Sequence, residues 1–121
     1  MTRVLVVDDD REIAQLLEHV LADEGYLVEA APNGAVAFDG MRHHPPDVVL
    51  LDLRMPVMDG LSFLHACRQD PRWSDLRIIL LSAMPEGTPT ADRFDGFVPK
   101  PFDLAEVVRT VQLAVSQSTT N

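Results

Sequence analysis

The sequence predicts an α/β domain with a doubly wound, five-stranded parallel sheet. Two observations carry that prediction. Short apolar runs alternate along the chain with helical patterns, as successive strand–helix–strand units require. The first, third and fourth of those runs are apolar almost throughout, as strands covered on both faces must be. Crossovers between the strands should then be right-handed.

Residues 4–7 form a run of β-formers that stops at Asp8. In the helix that follows, Ile13, Leu16, Leu17, Val20 and Leu21 recur at the spacing of one apolar face. Asp9 or Asp10 supplies its N-cap and Gly25 its C-terminal stop. Residues 27–31 make a weaker second strand. Asn33-Gly34 marks a turn before a helix over about residues 35–43, which Pro45-Pro46 breaks. Residues 47–51 are the third strand, ending in Asp52. A loop through Pro56 and Gly60 leads into a helix over about residues 61–69. Residues 77–81 are the fourth strand, ending at Ser82, and Phe97-Val98 a short fifth, ending at Lys100-Pro101. A last helix presents Leu104, Val107, Val108, Val111 and Val115 on one face. Residues 116–121 read as a disordered polar tail, so a single domain over 1–121 has its folded core at about 3–115.

Ten basic against nineteen acidic residues give a net charge of −9, which repels nucleic acid and otherwise favours solubility. No apolar run is long enough to span a membrane, and residues 1–3 lead straight into the first strand with no signal peptide. Cys67, the sole cysteine, forms no internal disulfide, in keeping with a reducing cytosol. The four histidines lack metal-ligand spacing. The expectation is a cytoplasmic protein without nucleic-acid or membrane partners.

Useful polar groups close the strands. Asp8 and Asp9 end the first, Asp52 the third, Ser82 the fourth and Lys100 the fifth. Ligands of open parallel sheets bind outside the carboxyl ends of the strands, where strand order reverses. If strands one and three are neighbours, Asp8, Asp9 and Asp52 converge in one crevice. Three such carboxylates repel one another, so they stay partly protonated or a hard cation neutralises them. Oxygen-only ligation suits Mg²⁺, which keeps several waters and recruits phosphate oxygens. Taken singly, the aspartate run would be a solvated strand end, Asp59-Gly60 a turn and Ser82 a helix cap.

The runs VLVVDDD at 4–10, LDLRMPVMDG at 51–60, LSA at 81–83 and VPKPF at 98–102 resemble those of bacterial response-regulator receiver domains of the chemotaxis-regulator type. The resemblance covers about residues 3–115 and implies a flavodoxin-like fold with strand order 2-1-3-4-5. Asp52 matches the phosphoacceptor. Asp9 matches the acid that binds Mg²⁺ directly and Asp8 the one acting largely through water. The backbone carbonyl of Arg54 is the implied third protein ligand. Ser82 matches the hydroxyl that bonds a phosphoryl oxygen, Lys100 the lysine that pairs with the phosphoryl group or Asp52, and Phe97 the aromatic switch. Phe97 can also be read as a core aromatic. A cis peptide at Lys100-Pro101 is implied as well. Pro99 within a strand suits the edge position that this order gives strand five.

The resemblance further implies a stand-alone phosphoacceptor that takes its phosphoryl group from a sensor histidine kinase or a phosphotransfer protein and acts on a downstream protein effector. The same resemblance implies that it is not a turnover enzyme. The family places a full helix before the fifth strand. Here residues 83–96 contain Pro85, Gly87, Pro89 and Gly96, which predicts a truncated or irregular fourth helix. Two other readings remain: a non-phosphorylated interaction module with the same fold, and a phosphatase with an aspartate nucleophile. The second needs an acid two residues after Asp52, where Arg54 stands.

Overall fold

The computed structural model describes residues 1–55, 58–82 and 92–118, with Ser82, Gln117 and Ser118 described in backbone only. The elements in chain order are β1 (Arg3–Val7), α1 (Arg11–Asp23), β2 (Leu27–Ala31), α2 (Gly34–Met41), β3 (Val48–Asp52), α3 (Gly60–Gln69), β4 (Arg77–Ser82), β5 (Gly96–Pro99) and α4 (Leu104–Ser118). The strands form one parallel sheet in the order β2-β1-β3-β4-β5, as expected.

Side chains alternate across a strand, so each strand feeds two cores. Leu5, Val7, Val49, Leu51, Ile78 and Leu80 point to the face covered by α2 and α3, where Ala37, Met41, Phe63, Leu64 and Cys67 meet them. Val4, Val6, Val48, Leu50, Ile79 and Leu81 point to the other face, against Ala14, Leu17 and Leu21 of α1 and Val107, Val111 and Ala114 of α4. All of β3 is buried, which explains its unbroken apolar run.

The helices begin at polar caps. Asp10 Oδ1 accepts from the backbone N–H groups of Glu12 (3.0 Å) and Ile13 (3.3 Å). Asp59 Oδ1 accepts from Ser62 N (2.8 Å) at the start of α3. Asn33, read from sequence as a turn residue, also caps α2: its Oδ1 accepts from Val36 N at 2.9 Å. Asn33→Ala is expected to lower stability by about 1 kcal/mol, read as a shift in urea midpoint. An unchanged midpoint would show that the cap is silent. Gly25 ends α1 at φ 95°, a left-handed conformation that favours glycine.

Beyond one-residue shifts at element ends, one helix face and two helix ends differ from expectation. Leu16 is 54% exposed, because the buried face of α1 centres on Ala14, Leu17 and Leu21 and a residue beside Leu17 is turned about 100° away. α2 stops at Met41, and the amides of His43 and His44 turn back onto the Gly40 carbonyl. A residue preceding proline, as His44 precedes Pro45, disfavours the helical region. α4 runs through Ser118, three residues past the expected core limit at Val115, since residues 116–118 hold no helix breaker. Most of the segment expected to hold an irregular helix, residues 83–91, lies outside the described residues. Residues 92–95 are non-helical.

Candidate functional site

β1 and β3 are neighbours, with Val7 beside Leu51 in register. The next residues, Asp8 and Asp52, therefore emerge side by side where the chain reverses its direction of travel across the sheet. Asp8 and Asp52 are buried, at 3% and 5% exposure, and Asp9 is exposed. One carboxylate oxygen from each of Asp8, Asp9 and Asp52 lies within 4.8 Å of the others. Among the described residues no other cluster of acids, histidines or cysteines is gathered this way.

Lys100 arrives from the end of β5. Its Nζ lies 3.4 Å from Asp8 Oδ2 and 3.4 Å from Asp52 Oδ1. Arg54 N–H also donates to Asp52 Oδ1, at 3.3 Å, and the Arg54 side chain is exposed. Asp8 Oδ1 accepts from Asp10 N at 2.9 Å, which ties the aspartate run to the start of α1.

Burial is the main force raising the Asp52 pKa above the ordinary carboxylate value, and the negative charge of Asp8 adds to it. Lys100 and the Arg54 N–H pull the other way. A raised folded-state pKa stabilises the fold below the unfolded value, and that contribution is lost as pH rises through the folded one. Three carboxyl groups thus face the single amine of Lys100 in this crevice. Its donors are all hard oxygens, and this donor set fits a divalent cation of the Mg²⁺ type.

The structure thus brings together Asp8, Asp9, Asp52 and Lys100, as the sequence predicts. The Lys100–Pro101 peptide is cis. Ser82 ends β4 with its backbone in register with Pro99 of the edge strand β5, and its side chain lies outside the described residues. Phe97 is half-buried against the α2–α3 face of the core. Cys67 is buried, and burial pushes its thiol up to about 12, so it stays protonated.

Sequence reading missed the residues that hold the crevice from behind. Gly60 opens α3 directly against the end of β3: a Cβ there would lie 2.5 Å from the Asp52 carbonyl oxygen. Its only sequence signal was an Asp-Gly pair, which reads as a turn.

An acidic, cation-ready crevice at the switch point of a doubly wound sheet defines the class. The family follows from comparison: residues 4–112 match the response regulator receiver domain, and this chain belongs to that family. It is 37% identical over 98% of its length to the transcriptional regulatory protein KdpE of Mycobacterium tuberculosis, and spans about half (53%) of that protein. Among solved structures, chemotaxis protein CheY4 of Vibrio cholerae is similar at TM-score 0.86 and 32% identity, over 94% of this chain and 98% of that one. Response regulator TrrA of Thermotoga maritima, solved in complex with Mg²⁺–BeF, is similar at TM-score 0.84 and 34% identity, over 94% and 99%. No helix among the described residues is long and apolar enough to cross a membrane.

Proposed function

We propose that this chain is a phosphoacceptor: a sensor histidine kinase or phosphotransfer protein passes a phosphoryl group from its phosphohistidine to Asp52, in a reaction that depends on Mg²⁺. The observation that carries the reading is the convergence of three carboxylates and Lys100 within ion-pair reach. The Mg²⁺–BeF complex of TrrA supports it, since that protein is 34% identical to this chain.

Asp9 and Asp52 would hold Mg²⁺ directly, Asp8 through water, and the Arg54 carbonyl would complete the protein ligands. The ion supplies positive charge that offsets repulsion between the acids and the incoming phosphoryl oxygens. Asp52 Oδ1 is engaged by Arg54 N–H and Lys100, which leaves Oδ2 to attack phosphorus. The phosphorus–nitrogen bond breaks as the new oxygen–phosphorus bond forms, and the donor imidazole leaves. Positioning and charge dominate such transfers, and both come from rigid strand ends. Lys100 is placed to follow the charge as it develops. The acyl phosphate then draws the Ser82 hydroxyl toward it, Phe97 turns inward, and a surface that a downstream effector reads changes shape. One phosphoryl group is taken per chain, without turnover.

Incubation with Mg²⁺ and acetyl phosphate, followed by intact mass, tests this. One phosphoryl group should be gained, and none by Asp52→Ala or with a chelator present. No gain from acetyl phosphate or from a phosphorylated histidine kinase core returns the chain to the reading of a fold-only interaction module.

A further inference from the structure

Asp8 is the most deeply buried of the three clustered acids. Its backbone is settled by the sheet: Asp8 N–H donates to the Ala31 carbonyl at the end of β2, at 3.1 Å. What the sheet leaves free is rotation of the carboxylate, and its two oxygens have different partners. Oδ2 lies 3.4 Å from Lys100 Nζ, which also reaches Asp52. Oδ1 accepts from Asp10 N–H at 2.9 Å. The lysine stem is flexible, so the backbone amide is the more rigid of these two partners. Asp10 is itself pinned by α1. It is extended, at φ −84° and ψ 106°, and its carbonyl accepts the first helical bond from Ala14 N at 3.0 Å. Its carboxylate accepts from Glu12 N and Ile13 N. Without that cap the first turn frays, and the direction of the residue's own N–H is no longer fixed.

We propose that Asp10 is a positioning residue for the acidic crevice: by capping α1 it holds its own N–H against Asp8 Oδ1, and that bond keeps Asp8 Oδ2 on the side shared with Lys100 and Asp52. The inference rests on the Mg²⁺-dependent reading above. Groups that hydrogen-bond a metal-binding carboxylate orient it, and losing one costs about tenfold or more in metal affinity. Asp10 is exposed and lies at the surface end of this chain of bonds, so its replacement leaves both cores of the sheet intact.

Three variants separate positioning from charge and from stability, each measured by titration calorimetry of Mg²⁺ into the whole chain and by urea unfolding of the metal-free protein. Asp10→Ala removes the cap and should weaken Mg²⁺ binding about tenfold or more. Asp10→Asn keeps a capping oxygen and loses only an exposed charge, so it should bind within about threefold of the parent. Asn33→Ala removes the corresponding cap from α2, on the other face of the sheet, and should lower the urea midpoint about as far as Asp10→Ala does while leaving Mg²⁺ affinity unchanged. In the metal-free protein, the amide at position 10 should exchange with solvent faster in Asp10→Ala than in Asp10→Asn. Four results overturn the inference: Asp10→Ala binding like the parent, Asp10→Asn binding as weakly as Asp10→Ala, Asn33→Ala losing affinity in step with its midpoint, or equal exchange at position 10 in the two Asp10 variants. If the parent chain itself fails to bind Mg²⁺, the functional reading falls and takes this inference with it; the other four outcomes leave that reading intact.

Discussion

Gly60→Ala is expected to destabilise the fold by about 3 kcal/mol, the upper range for overpacking a well-filled site. The added Cβ would meet the Asp52 carbonyl oxygen at 2.5 Å, Leu53 Cα at 2.6 Å and Leu53 Cδ2 at 2.8 Å. Two of those three are backbone atoms at the end of β3, the most deeply buried strand, and cannot rotate away. Gly60 N–H is also bonded to the Leu53 carbonyl at 3.1 Å, which holds α3 against the strand end. Helix preference works in the opposite direction, by at most about 1 kcal/mol. The clash must be relieved by moving either α3 or the Asp52–Leu53 backbone, and the second moves the Asp52 carboxylate, the proposed acceptor. A misplacement approaching 1 Å can slow a transfer by about 100-fold, so phosphorylation by acetyl phosphate should slow even where the variant is fully folded. Urea unfolding and a phosphorylation time course check the two parts. A variant with parental midpoint and parental rate would show that the close approach is not what fixes Asp52.

Much of this was legible in the sequence, for physical reasons. Parallel strands buried on both faces must be apolar throughout, so the runs at β1, β3 and β4 announce themselves. The polar residue ending each run falls at the carboxyl edge of the sheet, which is why Asp8, Asp52 and Lys100 could be placed before any coordinates. What stayed hidden depends on distant neighbours. Periodicity gives the direction of Leu16 on its helix but not where the covering elements end. Asn33 and Asp59 look the same in sequence whether they make turns or caps. The role of Gly60 depends on which backbone passes close to it. Arg68 is the hardest case. An arginine on an amphipathic helix is solvent-facing by default. Only the folding of the adjoining turn and of a remote segment around it makes it a structural centre.

Arg68→Ala is the substitution expected to cost the fold most, about 3–5 kcal/mol, the range for removing one member of a buried charged pair. The side chains of Arg68 and Asp95 are 7% and 9% exposed and lie 3.4 Å apart. Arg68 also donates to four backbone carbonyls: Arg93 (2.8 Å), Trp73 (3.3 Å), Ser74 (3.1 Å) and Leu76 (2.9 Å). One guanidinium thus ties the turn after α3 to the segment entering β5. Asp95 extends the tie: its carboxylate accepts from Ile78 N (2.8 Å) and from Arg93, and its own N–H donates to the Ile78 carbonyl at 2.7 Å. Burial and the nearby Arg93 lower the Arg68 pKa, yet arginine keeps its proton throughout the physiological range. Truncation leaves a buried carboxylate half-compensated and several carbonyls without their donor. For a chain of this length, the melting temperature should fall by roughly 10–20 °C. Arg68→Lys should recover little, since a single ammonium with three donors cannot span five acceptors arranged around a planar fork. The loss should also be felt locally. β5 is an edge strand whose register with β4 begins at Ile79 beside Gly96, right where the Asp95 clasp ends. Amides of Gly96 to Val98 should therefore exchange faster with solvent in Arg68→Ala than those of β1 and β3, and Lys100, at the end of that strand, should hold Asp52 less firmly. A melting temperature within about 3 °C of the parent would mean that these bonds contribute too little to matter.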